Sequence, residues 1–223
     1  MTELSFVIPV YNGSRTIGGV VREIHALFAD LDFEIILVND CSQDDTEQVC
    51  RALQEEFPQT LTFLHLARNF GEHAAVLAGL NQADGSWVAI LDDDGQNPPA
   101  EVRKMYEAGK TRGWDVVYGR YRVKRHGWFR NLGSRFNDRV ANIMLRKPRR
   151  LYLSSFKVLN RFLVDEITAY KGAFPYIDGL ILRATSNLGQ IAVEHRSRDE
   201  NQRHAACDYS DRAQRQVLAD KPH

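Results

Sequence analysis

The first 120 residues alternate between short apolar runs and segments of helical periodicity, and this alternation constrains the fold more than any other feature. Apolar runs that predict buried strands lie at residues 4–10, 33–38, 61–66, 87–91 and 115–118. Helical spacing between them predicts helices at about 15–29, 44–57, 72–82 and 100–112. Because strands that alternate with helices form βαβ units, we predict an α/β fold with a mostly parallel central sheet flanked by helices.

The pattern changes after Tyr121. Residues 127–145 carry apolar side chains at spacings of three and four, with arginines elsewhere on the helix surface. This predicts either an interfacial helix beside anionic lipid or an ordinary helix packed on the sheet. Further on, we predict a helix at 159–170, a short helix at 179–184 and a strand at 190–194. We expect one domain at 1–198 and a polar, disordered tail at 199–223.

Composition narrows the function classes. The formal net charge is zero, so no overall field favours nucleic acid and we expect no nucleic-acid partner. Within residues 120–150, however, 11 Lys and Arg side chains face a single acid, Asp138, and this basic patch suits an anionic membrane surface. Three cysteines without CxxC spacing favour neither a disulfide framework nor a zinc site, and they suit a reducing compartment.

No membrane span or signal peptide is predicted. Apolar runs stay far below the roughly 20 residues that a spanning helix needs, and the N-terminus lacks a basic region followed by an apolar core. We therefore expect a cytoplasmic protein, with peripheral attachment to the inner face of the membrane as the further expectation.

Three adjacent carboxylates, Asp92, Asp93 and Asp94, close the fourth predicted strand. Like charges this close repel one another, and a divalent cation would neutralise them. Carboxylate and amide oxygens are the ligands that Mg²⁺ or Mn²⁺ prefers, with the remaining positions left to water and phosphates. The run therefore indicates a metal-bridged diphosphate site at the carboxyl edge of the sheet, with a solvated polar loop as the alternative.

The chain contains neither GxGxxG nor GxxxxGK[ST], which argues against a Rossmann site and a P-loop.

Three ordered motifs resemble those of the inverting family 2 glycosyltransferases of GT-A fold. They are VIPVYN at 7–12, VNDCSQDDT at 38–46 and DDDGQNPP at 92–99. The QNPP ending and RNFGEH at 68–73 resemble one branch, which includes dolichol-phosphate mannose synthase and bacterial enzymes that load sugars onto undecaprenyl phosphate. The resemblance covers residues 4 to about 198. It implies a GT-A fold of the nucleotide-diphospho-sugar transferase type and an enzyme that transfers hexosyl-type groups.

The resemblance also implies roles for individual residues. Donor binding would fall to residues that follow the strands, namely Pro9, Tyr11, Asn12, Asp40, Asp92 and Asp93. Asp94 and Gln96 would hold the Mg²⁺ or Mn²⁺ that bridges the donor diphosphate. Catalysis at the phosphates would involve Asp94, Arg120 and Arg198. The implied partners are a nucleotide-diphosphate sugar and a polyprenyl phosphate acceptor.

The chemistry of such a transfer limits which residues act as bases. A leaving nucleoside diphosphate gains negative charge, which a metal ion and arginines stabilise. A lipid phosphate acceptor is already anionic, since its second pKa is about 6, so it needs positioning rather than a strong base. We therefore predict a structural or pocket-wall role for His73, a helix cap or acceptor contact for Asp178, and a structural role for His195.

Several alternatives stay open. Gly13 stands where the family commonly has an acid, and the residues after Arg198 do not match the branch's usual Gly-x-Ser-x-Tyr. The acceptor could instead be soluble or a glycan, or the domain could bind a nucleotide sugar or a partner protein without catalysis. The sequence also leaves open the donor base, the sugar and assembly into a homo-oligomer.

Overall fold

A computed structural model describes residues 2–121 and 151–196. Seven strands of these residues form one sheet: β1 (Leu4–Val10), β2 (Phe33–Asn39), β3 (Leu61–His65), β4 (Trp87–Ile90), β5 (Val116–Tyr121), β6 (Lys157–Asn160) and β7 (Leu188–Val193). The helices of the same residues are α1 (Ile17–Leu27), α2 (Thr46–Glu56), α3 (Glu72–Gln82), α4 (Pro99–Arg112), α5 (Arg161–Thr168) and α6 (Ile177–Ala184).

The strand order is β3-β2-β1-β4-β6-β5-β7. Strands β1 to β4 run parallel, β7 runs parallel to β5, and β6 runs antiparallel to both of its neighbours. The mostly parallel sheet is therefore confirmed. The prediction of a helix from residue 159 is wrong at its start, because Leu159 and Asn160 belong to β6. Helix α5 begins afterwards, where the Asn160 side chain accepts a hydrogen bond from the N–H of Leu163 at 2.9 Å.

Helices cover both faces of the sheet, which explains why its central strands β1, β2 and β4 are buried along most of their length. Phe6 and Ile8 of β1 pack with α1, α2 and α4 on one face, and Val7 packs with α3, α5 and α6 on the other. Helix α3 lies so close to β1 that a Cβ atom on Gly79 would come within 2.5 Å of Val7 Cγ1. These two apolar layers fix the sheet on which the polar loops stand.

The carboxyl ends of β1, β2, β3 and β4 meet at one edge of the sheet. The loops that follow them contain the polar clusters singled out above, so the fold brings those clusters together. In residues 2–121 and 151–196, no helix combines the length and apolar character needed to cross a bilayer. The predicted helix at 127–145, Arg198 and the tail at 199–223 lie outside the described residues.

Candidate active site

A cavity of about 370 Å³ opens at the carboxyl edge of the parallel strands. Its walls come from the loops after β1, β2, β3 and β4, and its lining residues are Pro9, Val10, Tyr11, Asp40, Asn69, Gly71, Glu72, Asp92, Asp93 and Asp94. Six of the predicted site residues are thus brought together. Asn12, Gln96 and Arg120 do not line this cavity.

Asp40 holds the wall of the cavity in place. Its side chain is buried, and its two carboxylate oxygens accept hydrogen bonds from the N–H groups of Phe70 at 2.7 Å and Gly71 at 2.9 Å. Gly71 has φ 88°, a left-handed conformation that favours glycine. The carboxylate therefore ties the end of β2 to the loop before α3, and its part in donor binding stays a prediction.

Asp92 is oriented by a hydrogen-bond network that was not predicted. Its Oδ2 accepts from Asn97 Nδ2 at 2.7 Å and from Ser155 Oγ at 2.9 Å, and the Tyr121 hydroxyl donates to Asn97 Oδ1 at 2.6 Å. Burial raises the pKa of Asp92, while the hydrogen bond from Ser155 opposes that rise. Asn97 is part of the QNPP motif and could have been found from it, whereas no motif around Ser155 indicates its contact with Asp92.

Asp93 fills space that Gly13 leaves open. Its Oδ2 accepts the N–H of Tyr11 at 3.0 Å, and a Cβ atom on Gly13 would overlap the same carboxylate and lie 2.9 Å from Val10 Cγ1. Burial raises the pKa of Asp93 to about 6; the Tyr11 N–H lowers it, and neighbouring carboxylates raise it further. The absence of a side chain at Gly13 therefore leaves the space that the Asp93 carboxylate occupies.

Asp94 and Gln96 belong to one tight loop. Asp94 Oδ1 accepts the N–H of Gln96 at 3.0 Å, and Gly95 between them has φ 67°. The Gln96 carbonyl accepts the N–H of Arg196 at 2.9 Å, which connects this loop to the segment after β7. The Arg196 guanidinium in turn pairs with Glu23 of α1 at 2.7 Å. The loop that would hold a cation is thus held by a hydrogen bond within it and by its connection to the segment after β7.

The charge of the cavity suits a cation bound together with phosphates. Five carboxylates line it, and its described lining residues include no Lys or Arg. No group of three or more His, Cys, Asp or Glu in the described parts of the chain forms a metal cage made of protein alone. Mg²⁺ sites commonly use one or two carboxylates and complete their coordination with substrate phosphates and water. Asp94 with its neighbouring carboxylates fits such a site, and an anionic diphosphate would be repelled without a cation.

A second cavity of about 220 Å³ adjoins the first, and Glu72 lines both. Its other lining residues are His73, Val76, Ile90, Leu153, Ser154, Ser155, Lys157, Ile177 and Asp178. His73 lies in the wall, as predicted, with its ring edge-on to Tyr176 at 5.1 Å between centroids.

Asp178 takes part in a buried ion pair rather than a helix cap. Its Oδ1 lies 2.5 Å from Lys157 Nζ and accepts the Tyr118 hydroxyl at 3.0 Å. The N-cap of α6 is Tyr176, which makes no capping hydrogen bond through its side chain, so the predicted cap is wrong. Burial raises the pKa of Tyr118, which keeps the phenol protonated as a donor.

The remaining predicted residues lie elsewhere. Arg120 is exposed near the end of β5 and lines neither cavity, and Arg198 lies outside the described residues. Their roles at the phosphates stay predictions. His195 packs its ring edge-on to Tyr121 at 4.7 Å between centroids, a contact that suits the predicted structural role.

The chain is similar in sequence to a known protein family and to curated enzymes. The family model described as "Glycosyl transferase family 2" matches residues 5–171. The undecaprenyl-phosphate 4-deoxy-4-formamido-L-arabinose transferase of Pseudomonas syringae pv. syringae is 29% identical over 202 residues, which cover 88% of this chain and 58% of that protein. The chain therefore spans less than two thirds of the length of this curated relative.

Solved structures of other proteins share the fold. Mannosyl-3-phosphoglycerate synthase from Rubrobacter xylanophilus superposes with TM-score 0.66 at 18% identity, covering 100% of this chain and 76% of that one. Glucosyl-3-phosphoglycerate synthase from Mycobacterium tuberculosis, in complex with Mn²⁺, UDP and glucosyl-3-phosphoglycerate, gives TM-score 0.62 at 20% identity, covering 92% and 76%. This likeness confirms the predicted fold class.

Proposed function

The chain belongs to glycosyl transferase family 2, and from that premise we propose that it transfers a sugar from a nucleoside diphosphate donor to a polyprenyl phosphate. The observation that carries this proposal is the cavity at the carboxyl edge of the sheet, where five carboxylates converge beside an exposed tyrosine ring. The named relative acts on undecaprenyl phosphate, which supports a lipid phosphate as the acceptor.

The donor would lie along the cavity in the order base, ribose and diphosphate. Tyr11 is 50% exposed and so offers a ring face beside Pro9 for the base. Asp92 and Asp93 also line the cavity, and their carboxylate oxygens would suit ribose hydroxyls. Asp94 in the cavity wall would hold Mg²⁺ or Mn²⁺ at the diphosphate, with Gln96 of the same loop, outside the cavity lining, as the second ligand that the family resemblance implies. A bound cation would offset the charge that develops on the leaving diphosphate.

The transfer itself would be a single displacement. A phosphate oxygen of the acceptor forms a bond to the anomeric carbon while the bond from that carbon to the donor diphosphate breaks, and the nucleoside diphosphate leaves with the electron pair. Attack from the side opposite the leaving group inverts the anomeric carbon. No general base is needed, because the acceptor phosphate is already anionic.

The acceptor also implies a surface for lipid. The basic segment 120–150 would contact anionic headgroups at the inner face of the membrane, and Arg120 and Arg198 would approach the phosphates. Only residues 120 and 121 of that segment are among those described. The attraction is electrostatic, so membrane binding should weaken as the salt concentration rises.

A transfer assay tests the proposal. The purified chain would be incubated with Mn²⁺ or Mg²⁺ and a panel of UDP-, GDP- and dTDP-sugars, including the UDP-linked 4-deoxy-4-formamido-L-arabinose. Anionic vesicles containing undecaprenyl phosphate serve as the acceptor, and mass spectrometry detects the glycosylated lipid. We expect a metal-dependent lipid product that is lost in Asp94→Ala. Transfer to a soluble glycan alone would refute the acceptor, and nucleotide binding without any transfer would support a non-catalytic domain.

A further inference from the structure

The second cavity contains a buried ion pair that the proposed transfer chemistry does not use. Lys157 of β6 is 3% exposed and Asp178 of α6 is 8% exposed. Both line the cavity, and Lys157 Nζ lies 2.5 Å from Asp178 Oδ1. Burying two opposite charges costs desolvation energy that a single contact rarely recovers, so such a pair calls for further hydrogen bonds.

This ion pair has hydrogen-bonding capacity left over. The ammonium group of Lys157 has three N–H donors, one of which meets Asp178; among residues 2–121 and 151–196 it also lies over the ring of Tyr118, 5.4 Å from the ring centroid. Asp178 Oδ1 accepts from both Lys157 and Tyr118, whereas its Oδ2 accepts no hydrogen bond from residues 2–121 and 151–196. A ligand that accepts from the ammonium group and donates to the carboxylate would complete the pair.

The charge of the cavity decides which ligand suits it. Lys157 is the one Lys or Arg among the lining residues that the structure describes, and the carboxylates of Glu72 and Asp178 line the same cavity. A phosphate would be repelled by two carboxylates, while its attraction to the ammonium group would compete with an existing ion pair. A neutral polar group meets neither obstacle. The cavity therefore suits sugar hydroxyls or an acylamino group better than a phosphate.

The position of the cavity matches the sugar of a nucleotide-sugar donor. Glu72 lines both cavities, and Ser155 of the second donates to Asp92 of the first at 2.9 Å. The volume of about 220 Å³ lies below the roughly 300–1,000 Å³ of pockets for drug-sized ligands, so it suits one sugar ring rather than a nucleoside.

We propose that the second cavity binds the donor sugar and that Lys157 and Asp178 together recognise a substituent able both to accept and to donate hydrogen bonds. This inference rests on the proposed function. An acylamino group would accept from Lys157 through its carbonyl oxygen and donate to Asp178 through its N–H, and a hydroxyl group would do both through one oxygen. The ion pair would thus select among donor sugars without touching the nucleotide.

Calorimetric titration in the presence of Mn²⁺ measures this selection. Bare UDP, GDP and dTDP are compared with their sugar-linked forms, among them UDP-glucose and UDP-GlcNAc. The dissociation constant of the bare nucleotide divided by that of its sugar-linked form gives the contribution of the sugar to binding. We expect a ratio well above one for at least one donor with the wild-type chain. In Lys157→Met and Asp178→Asn, the ratio should fall about tenfold, the effect of one lost hydrogen bond to a charged group, while bare nucleotide binds within twofold of wild type.

Two controls separate recognition from folding. Lys104→Met removes an ammonium group from α4, on the opposite face of the sheet, and should leave the ratio unchanged. Each single change leaves one buried charge unpaired, which could itself destabilise the chain. The double variant Lys157→Met with Asp178→Leu removes both charges. Thermal unfolding verifies that this variant folds, and its ratio of dissociation constants should fall as in the single variants.

Each outcome decides the inference. An unchanged ratio in a folded variant would overturn it, as would a wild-type ratio of one for every donor. Equal weakening of bare and sugar-linked nucleotide would show that the ion pair only supports the fold near the site, and would overturn it too. If no nucleotide binds the wild-type chain, the proposed function itself fails and the inference fails with it.

Discussion

Replacing Asp40 with asparagine should both destabilise the chain and weaken nucleotide binding. Both oxygens of this buried carboxylate accept backbone N–H groups, from Phe70 at 2.7 Å and Gly71 at 2.9 Å. Asparagine keeps one acceptor and turns the other into an NH₂ group that faces an N–H donor. A hydrogen bond to a charged group contributes about 1.5–3 kcal/mol, so we expect the free energy of unfolding to fall by about 2 kcal/mol.

That loss can be measured by thermal unfolding. For a domain of this size, 1 kcal/mol corresponds to roughly 2–4 °C, so Tm should fall by about 4–8 °C. Gly71 also lines the nucleotide cavity, and the loosened loop should weaken Mn²⁺-dependent nucleotide binding by about tenfold, or about 1.4 kcal/mol.

Asp45→Asn is the matched control for Asp40→Asn. Asp45 is exposed at the N-cap of α2 and its side chain makes no capping hydrogen bond, so the same chemical change there should leave Tm and binding near wild type. If Asp40→Asn behaved like Asp45→Asn, the claim that this carboxylate holds the cavity wall would be refuted.

Three further sets of variants and labelling experiments test the acidic loop, the packing of α3 and the burial of Cys50. Asn97→Ala removes the buried amide that orients the first carboxylate of the acidic run, and should weaken metal-dependent nucleotide binding by about tenfold in calorimetry without reversing its metal dependence. Gly79→Ala places a Cβ atom 2.5 Å from a β1 side chain, so it should lower the free energy of unfolding, measured with a chemical denaturant, by about 1–3 kcal/mol. Gly19→Ala has open space around its Cβ atom and should be neutral or stabilising. Equal effects of the two changes would contradict the close packing of α3 on β1. Burial raises the pKa of Cys50 to about 12, so its thiol stays protonated at pH 8. Mass spectrometry should therefore show that iodoacetamide labels the partly buried Cys41 well before the buried Cys50, and equal labelling rates would contradict the burial of Cys50.

The first half of the fold could be predicted because its signal is local. Strands β1, β2 and β4 are buried along most of their length and therefore read as apolar runs, and the predicted helix at residues 72–82 has the bounds of α3. Strand β6 was missed because it has four residues and begins with Lys157. The partner that allows this lysine to be buried, Asp178, lies 21 residues further along the chain, so no local pattern marks the strand.

The site was predictable where a motif marks it. The acidic run and Asp40 follow strands that end at one edge, so their meeting follows from the parallel order of the sheet. Some of the hydrogen bonds that orient them come from distant segments, such as Ser155 to Asp92 across 63 residues, and only the fold reveals such contacts. The cap predicted for Asp178 was wrong for the same reason, since its partners lie on β5 and β6.

The most direct test of the central claim, a metal-dependent nucleoside diphosphate site, is calorimetric titration of UDP, GDP and dTDP into the wild-type chain and Asp94→Ala, with and without Mn²⁺. We predict that at least one nucleotide binds only when Mn²⁺ is present and that Asp94→Ala abolishes this binding while remaining folded. Binding that is independent of Mn²⁺ and unaffected by Asp94→Ala, or no binding of any nucleotide, would contradict it.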